Sequence, residues 1–143
     1  MNYIGIDPGK NGCIAWTDGV TMRFEKMPDT IQGVWNVFRG IAMEGSCIAG
    51  LESVSSSPGM GVVSAFTFGN GFGHLEMALT GWEIPFIRIR PQKWQQYMGC
   101  LTKGDKNVSK ARAQELFPLI KIIHSNADAI LIAEYCRQTQ RNK

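Results

Sequence analysis

Several things are scarce in this 143-residue chain, and each scarcity removes a class of protein. No run approaches the roughly 18 consecutive apolar residues of a membrane span, so no membrane partner is expected. The opening Met1-Asn2-Tyr3-Ile4-Gly5-Ile6-Asp7 lacks a basic region followed by a long apolar run, and does not read as a signal peptide. The four cysteines, Cys13, Cys47, Cys100 and Cys136, lie far apart and form no Cys-x-x-Cys pair. That spacing suggests neither a zinc site nor a dense disulfide framework. Cys13 and Cys47 sit inside apolar, strand-like runs, where a reduced cysteine acts as a small hydrophobe. A reducing, cytoplasmic compartment is the expectation. Internal repeats and low-complexity stretches are absent, and no interior segment reads as a linker. What remains is an ordinary globular composition, 44% hydrophobic and 19% charged. A chain of this length can bury a core without staples, so a single domain over residues 1–143 is expected.

Charge is present but unevenly placed. Residues 1–87 carry four Lys/Arg against eight Asp/Glu, and residues 88–143 carry eleven against four, for a total of +3. An acidic half joined to a basic half suggests charged partners: metal ions for the first and a polyanion for the second.

The pattern predicts an α/β fold. Strands are expected over Tyr3–Asp7, Cys13–Thr17 and Val20–Lys26, with Asp18-Gly19 as a two-residue hairpin. Asp29 with Gln32 fits a capping box for a helix through Ile41 and Ala42, stopped by Gly45. Cys47–Glu52 is an apolar run ending in an acid and reads as a buried parallel strand. A Ser/Pro/Gly loop follows. Val62–Leu79 has helical spacing interrupted by Gly69, Gly71 and Gly73; each costs roughly 1 kcal/mol in a helix interior. Ile84–Ile89 reads as a strand, Pro91–Met98 as a short amphipathic helix, Val108–Phe117 and Asn126–Gln138 as further helices. A three-strand meander followed by βα units makes a mixed five-stranded sheet with helices on both faces.

Three carboxylates stand out by position. Asp7 ends the first strand, Glu52 ends the fourth, and Asp128 lies in the first turn of the last helix. Strand ends of an α/β sheet are where sites form. Converging carboxylates there would hold Mg²⁺ or Mn²⁺. Two such ions can activate a water and stabilise the leaving oxygen of a phosphodiester. Each acid also has a local explanation. Asp7 opens an Asp-Pro-Gly turn, Glu52 is a strand-end acid, and Ser125-x-x-Asp128 matches a capping box favoured by the helix dipole.

Taken together, Ile4-Gly5-Ile6-Asp7-Pro8-Gly9 with Gly12, Leu51-Glu52, and Ala127-Asp128-Ala129-Ile130-Leu131-Ile132-Ala133 resemble the three acidic motifs of the RuvC-like Holliday junction resolvases. That family belongs to the RNase H-like superfamily. The Phe66-x-Phe68-Gly69-x-Gly71-x-Gly73 stretch and Arg90-Pro91-x-x-Trp94 resemble segments of its phage-encoded members. The resemblance implies an RNase H-like fold and a homodimeric endonuclease with two Mg²⁺ (or Mn²⁺) per active site. It would nick a four-way DNA junction symmetrically, leaving 5′-phosphate and 3′-hydroxyl ends. On that mapping Asp7 bridges both ions, Glu52 holds one and Asp128 helps to hold the other. The family carries a fourth ligand, Asp or sometimes His, one turn before the last acid. Here Ser125 lies three residues before Asp128 and His124 four. Either His124 supplies that ligand, since a neutral imidazole can bind a metal and manage a proton, or the fourth ligand is missing. Bacterial members also carry an aromatic wedge after the second acid. This chain has Ser53-Val54-Ser55-Ser56-Ser57 there, so no strict cleavage-sequence preference is implied.

Arg88, Arg90, Lys93, Lys103, Lys106, Lys110 and Arg112 crowd one stretch and are candidate phosphate contacts. Lys10, beside Asp7, could reach the scissile phosphate. Ser56 and Ser57 could track a backbone through hydroxyls and amides. A solvated basic face and a plain loop are the alternatives. Trp94 reads as core rather than as a base-stacking platform. The glycines of the long helix mark either a break near residue 70 or a close approach to another helix. The family pairs protomers through the equivalent helix, so Phe66, Gly69, Phe72 and Gly73 are candidate dimer contacts, related by a twofold axis. Three other functions compete: a broader structure-selective nuclease on forks and flaps, a non-catalytic nucleic-acid-binding module on the same fold, and a sugar-kinase-like nucleotide binder. The last would need a second lobe.

Overall fold

The computed structural model describes residues 1–141. Its elements run β1 (Asn2–Asp7), β2 (Cys13–Thr17), β3 (Met22–Lys26), α1 (Ile31–Met43), β4 (Cys47–Glu52), α2 (Val62–Gly81), β5 (Phe86–Ile89), α3 (Pro91–Met98), α4 (Lys106–Leu116) and α5 (His124–Gln140). The five strands form one sheet in the order β3-β2-β1-β4-β5. β1, β2 and β3 pair antiparallel, while β4 and β5 add in parallel on the other side of β1. This is the mixed sheet that the sequence predicts.

Strand alternation divides the core in two. Ile4, Ile6, Ala49 and Leu51 face α1 and α2, where they meet Val34, Phe38, Ile41, Leu75 and Leu79. Tyr3, Cys13, Ala15 and Ile89 face the other way, toward α3, α4 and α5. The run Ala129–Ala133 of α5 is buried on every side, which is how a helical segment apolar all round must sit. It lies close to the sheet because β1 and β4 offer glycines beneath it. Gly5 and Gly50 are register partners. A Cβ on Gly5 would come within 2.2 Å of Ala129 O and Ala133 N, and one on Gly50 within 2.5 Å of Cys136 Sγ.

Several boundaries differ from expectation. β3 starts at Met22, because Asp18 Oδ1 accepts from the amides of Val20 and Thr21 (both 2.8 Å) and turns that segment into a loop. Val20 is 93% exposed rather than on the strand face. The cap of α1 is Thr30, not Asp29; its Oγ1 accepts from Gly33 N at 3.0 Å. β5 begins at Phe86, two residues late. α5 begins at His124, so Ser125 is already helical. The side chain that caps it is Asn126, whose Oδ1 accepts from Ile123 N at 2.8 Å. Asp128 therefore stands clear of the cap. α2 does not break near residue 70. It is one helix of 20 residues, and Gly69, Gly71 and Gly73 have nothing within 4 Å of a would-be Cβ. Among the described residues no helix is long and apolar enough to cross a membrane, and all four cysteines are free.

Candidate active site

Parallel pairing of β1 with β4 runs from Asn2↔Cys47 to Ile6↔Leu51. Asp7 and Glu52 are the next residue on each strand, so they end side by side at the carboxyl edge of the sheet. Alternation puts both on the face that Gly5 and Gly50 share, the face covered by α5. There Asp128 precedes Ala129, the residue seated over Gly5. The glycine seat thus brings the acid of α5 down to the strand ends.

The electrostatics report this convergence. Burial raises the pKa of Asp7 to about 7, the charge of Asp128 adds to the rise, and Lys106 opposes it. Burial raises Glu52 to about 8, with Asp7 and Asp128 adding; the Trp94 N–H and Lys106 pull it back. Lys106, the first residue of α4, is thus the cation that offsets both acids. Neighbouring thiols stay protonated. Cys13, paired with Asp7 across β2, is pushed up to about 12, by burial first and Asp7 second. Cys100 is pushed up to about 11, by burial first and Asp128 second.

These donors fit a hard divalent cation in kind. They are carboxylate oxygens, the donor type that Mg²⁺ and Mn²⁺ take, and burial first and neighbouring acid charge second hold Asp7 and Glu52 protonated without a cation. As the side chains stand, no three His, Cys, Asp or Glu among the described residues gather closely enough to enclose an ion.

His124 lies one turn before Asp128, at i−4 on α5, and is exposed. Its Nε2 is 3.0 Å from Asn107 Oδ1 on α4. Lys10, Ser56, Ser57, Arg90, Lys93, Lys103 and Lys106 are exposed and Lys110 is half-buried; none of these lysines or Arg90 is in an ion pair among the described residues. Arg88 and Arg112 are different. Arg88 pairs with Glu76 of α2 and stands 5.9 Å over the ring of Phe72. Arg112 donates to Met98 O (2.7 Å) and pairs with Glu115. Both are tied into the fold, which leaves the smaller set for phosphates. On α2, Phe66 is 77% exposed, Gly69 and Gly73 are exposed and Phe72 is half-buried.

Two site features escape the sequence reading. Trp94 is fully buried, as core reading predicts, yet its Nε1–H donates to Glu52 Oε2 at 3.3 Å. Lys106 reads as a phosphate contact but sits beside the acids. Its place at the first turn of a helix that follows a Gly-containing loop was the available signal. Two surface concavities, of about 250 and 560 Å³, open at the opposite end of the sheet around Arg137 and Val20, and neither reaches the three acids.

No protein-family model matches this chain, and no curated protein sequence does. Solved structures do. The chain is similar to Thermus thermophilus RuvC, with a TM-score of 0.68 at 13% identity, covering 99% of this chain and 97% of that one. It is similar also to T. thermophilus RuvC in complex with a Holliday junction substrate, with a TM-score of 0.65 at 14% identity, covering 97% and 96%. Likeness over nearly the whole of both chains at such low identity establishes the architecture: this is an RNase H-like α/β fold.

Proposed function

We propose that this chain is a divalent-metal-dependent endonuclease that cuts branched DNA, with two copies nicking a four-way junction in matched strands. What supports the reading is the placement of Asp7 and Glu52 on neighbouring strand ends at the carboxyl edge of the sheet, close enough to Asp128 that its charge adds to burial in holding both protonated. The fold shared with a protein solved on a Holliday junction supports the choice of substrate.

Bound there, two Mg²⁺ or Mn²⁺ ions would supply an activated water and a stabilised leaving oxygen. The chain's own groups do the rest. Asp7, Glu52 and Asp128 would hold the ions. His124, one turn before Asp128, would supply a further ligand. Lys106 offsets the carboxylates and reaches toward the scissile phosphate. Hydrolysis there would join the water oxygen to phosphorus and break the P–O3′ bond, leaving a 5′-phosphate and a 3′-hydroxyl. Lys10, Arg90, Lys93, Lys103 and Lys110, with the exposed Ser56 and Ser57, fix the DNA backbone without reading sequence. Phe66, Gly69, Phe72 and Gly73 of α2 join the two copies.

One observation favours a second reading. Because no three metal-binding side chains gather as they stand among the described residues, the domain could bind branched DNA without cutting it. A single experiment separates the two. Labelled four-way junction, fork and linear duplex are incubated with Mg²⁺, Mn²⁺ or no metal, beside Asp7→Asn and Glu52→Gln. Paired nicks in the junction that vanish in both variants are expected. Binding with no cleavage under any metal would replace the nuclease by the binding module. Equal cutting of forks would widen the substrate to branched DNA in general.

A further inference from the structure

We propose that Trp94 is a positioning residue that lets Glu52 meet a divalent cation through one oxygen only, and so favours Mg²⁺ over Ca²⁺. The inference rests on the metal-nuclease reading above and deepens it.

The Trp94 indole is fixed by its surroundings. Glu52 is the register partner of Ile89, and Ser53 N donates to Ile89 O at 2.8 Å, so β5 ends beside the acid. Arg90 then caps α3, and Pro91 opens it with a preset φ. Trp94 follows one turn on, 0% exposed, packed with Met98 into the core beneath α5. Close packing holds the ring, with its Nε1–H directed at Glu52 Oε2, 3.3 Å away.

The donor is chemically unusual for that place. An indole carries one N–H, accepts nothing and bears no charge. It therefore orients the carboxylate without cancelling its charge, as a lysine or arginine would. The contrast within the chain is informative. The indole N–H groups of Trp16 and Trp82 are also buried, and among the described residues they have no partner. Trp94 is the buried indole whose N–H is engaged, and it is engaged by an acid of the site.

With Oε2 engaged, Oε1 is left for a cation. Ca²⁺ takes six to eight oxygens and commonly grips a carboxylate by both. Mg²⁺ demands near-octahedral geometry and takes single oxygens. A clamp on Oε2 disfavours the two-oxygen grip and leaves the one-oxygen grip in place.

The test is binding to the full chain without DNA. Mg²⁺ and Ca²⁺ are each titrated by calorimetry into the unmodified chain, Trp94→Phe, and a chain carrying 3-benzothienylalanine at position 94. The last keeps the two-ring shape and replaces N–H by sulfur, so it decides the matter if Trp94→Phe does not fold. Outer-shell partners of metal ligands are typically worth about 10–100-fold in affinity. The expected result is a loss of about tenfold for Mg²⁺, with Ca²⁺ binding held or improved and the melting temperature of the isosteric variant unmoved. A purely structural role would weaken both ions together; an unchanged Mg²⁺/Ca²⁺ ratio in the folded variants overturns the inference. If the unmodified chain takes up Mg²⁺ and Asp7→Asn abolishes uptake while the ratio stays fixed, the inference falls and the nuclease reading stands. If the unmodified chain takes up neither ion and cuts no branched DNA, both fall.

Discussion

Asp7 and Glu52 hold their protons to about pH 7 and about pH 8. In an unfolded chain such acids ionise near pH 4. Between those limits the folded protein binds more protons than the unfolded one, so stability falls as pH rises through that window. In metal-free protein, Asp7→Asn and Glu52→Gln should each be more stable than the unmodified chain at pH 8.5, by roughly 1–3 kcal/mol. The advantage should vanish below about pH 3, where unfolded and folded acids are alike protonated. Urea midpoints at the two pH values check this. A variant less stable at pH 8.5 would mean that the acids are stabilised rather than strained. Added Mg²⁺ should raise the unmodified chain and leave the variants behind, because a ligand bound only by the folded state shifts its stability. The two acids were visible in the sequence because each closes an apolar strand. The indole over Glu52 was not, since a buried tryptophan reads the same whether or not its N–H has a partner.

At the scale of elements, glycines in two places do opposite things. Gly5 lies under α5 with backbone atoms 2.2 Å from a would-be Cβ. Backbone cannot step aside as a side chain can, so Gly5→Ala must lift α5 from β1 and carry Asp128 away from Asp7. A destabilisation of about 3 kcal/mol or more is expected in denaturant unfolding, with cleavage abolished in the protein that remains folded. Gly69 has open space around it within an unbroken helix. Gly69→Ala should therefore gain about 0.5–1 kcal/mol in the isolated chain. A destabilised Gly69→Ala would show that the helix does bend there. The periodicity located α2, yet the glycines suggested a break. The turns that follow anchor it: Leu75, Ala78 and Leu79 are buried in the core, and tertiary packing outweighs the propensity cost.

At the scale of the molecule, the acidic and basic halves of the sequence interleave. The basic half returns Asp128 and Lys106 to the acids, and Arg88 and Arg112 to internal partners. Lys103 and Lys110 are without ion pairs among the described residues. Removing both should weaken junction and duplex binding alike and reduce the salt slope by about one for each phosphate that a lysine no longer neutralises. An unchanged slope would place the DNA on another face. A junction needs two nicks, and one copy has one set of acids. Phe66→Glu, on the exposed side of α2, should halve the mass seen in sedimentation equilibrium and leave the helical signal intact. The same mass in both proteins would remove α2 as the dimer contact.

The sequence by itself determined the order and type of the elements, the mixed sheet, and the acids at its strand ends. Those features follow from local rules: alternation, helical period and turn chemistry act over a few residues. Boundaries at Val20, Thr30 and His124 depended on which side chain won a local hydrogen bond, and several donors were in reach. Only the tertiary structure decided which groups attend the acids. Trp94 and Lys106 are 42 and 54 residues from Glu52 in the chain, and no local pattern couples them. The β4–β5 register and the glycine seat of α5 bring them together. Register and packing are properties of the folded whole, set by what lies across the sheet rather than by what lies next along the chain.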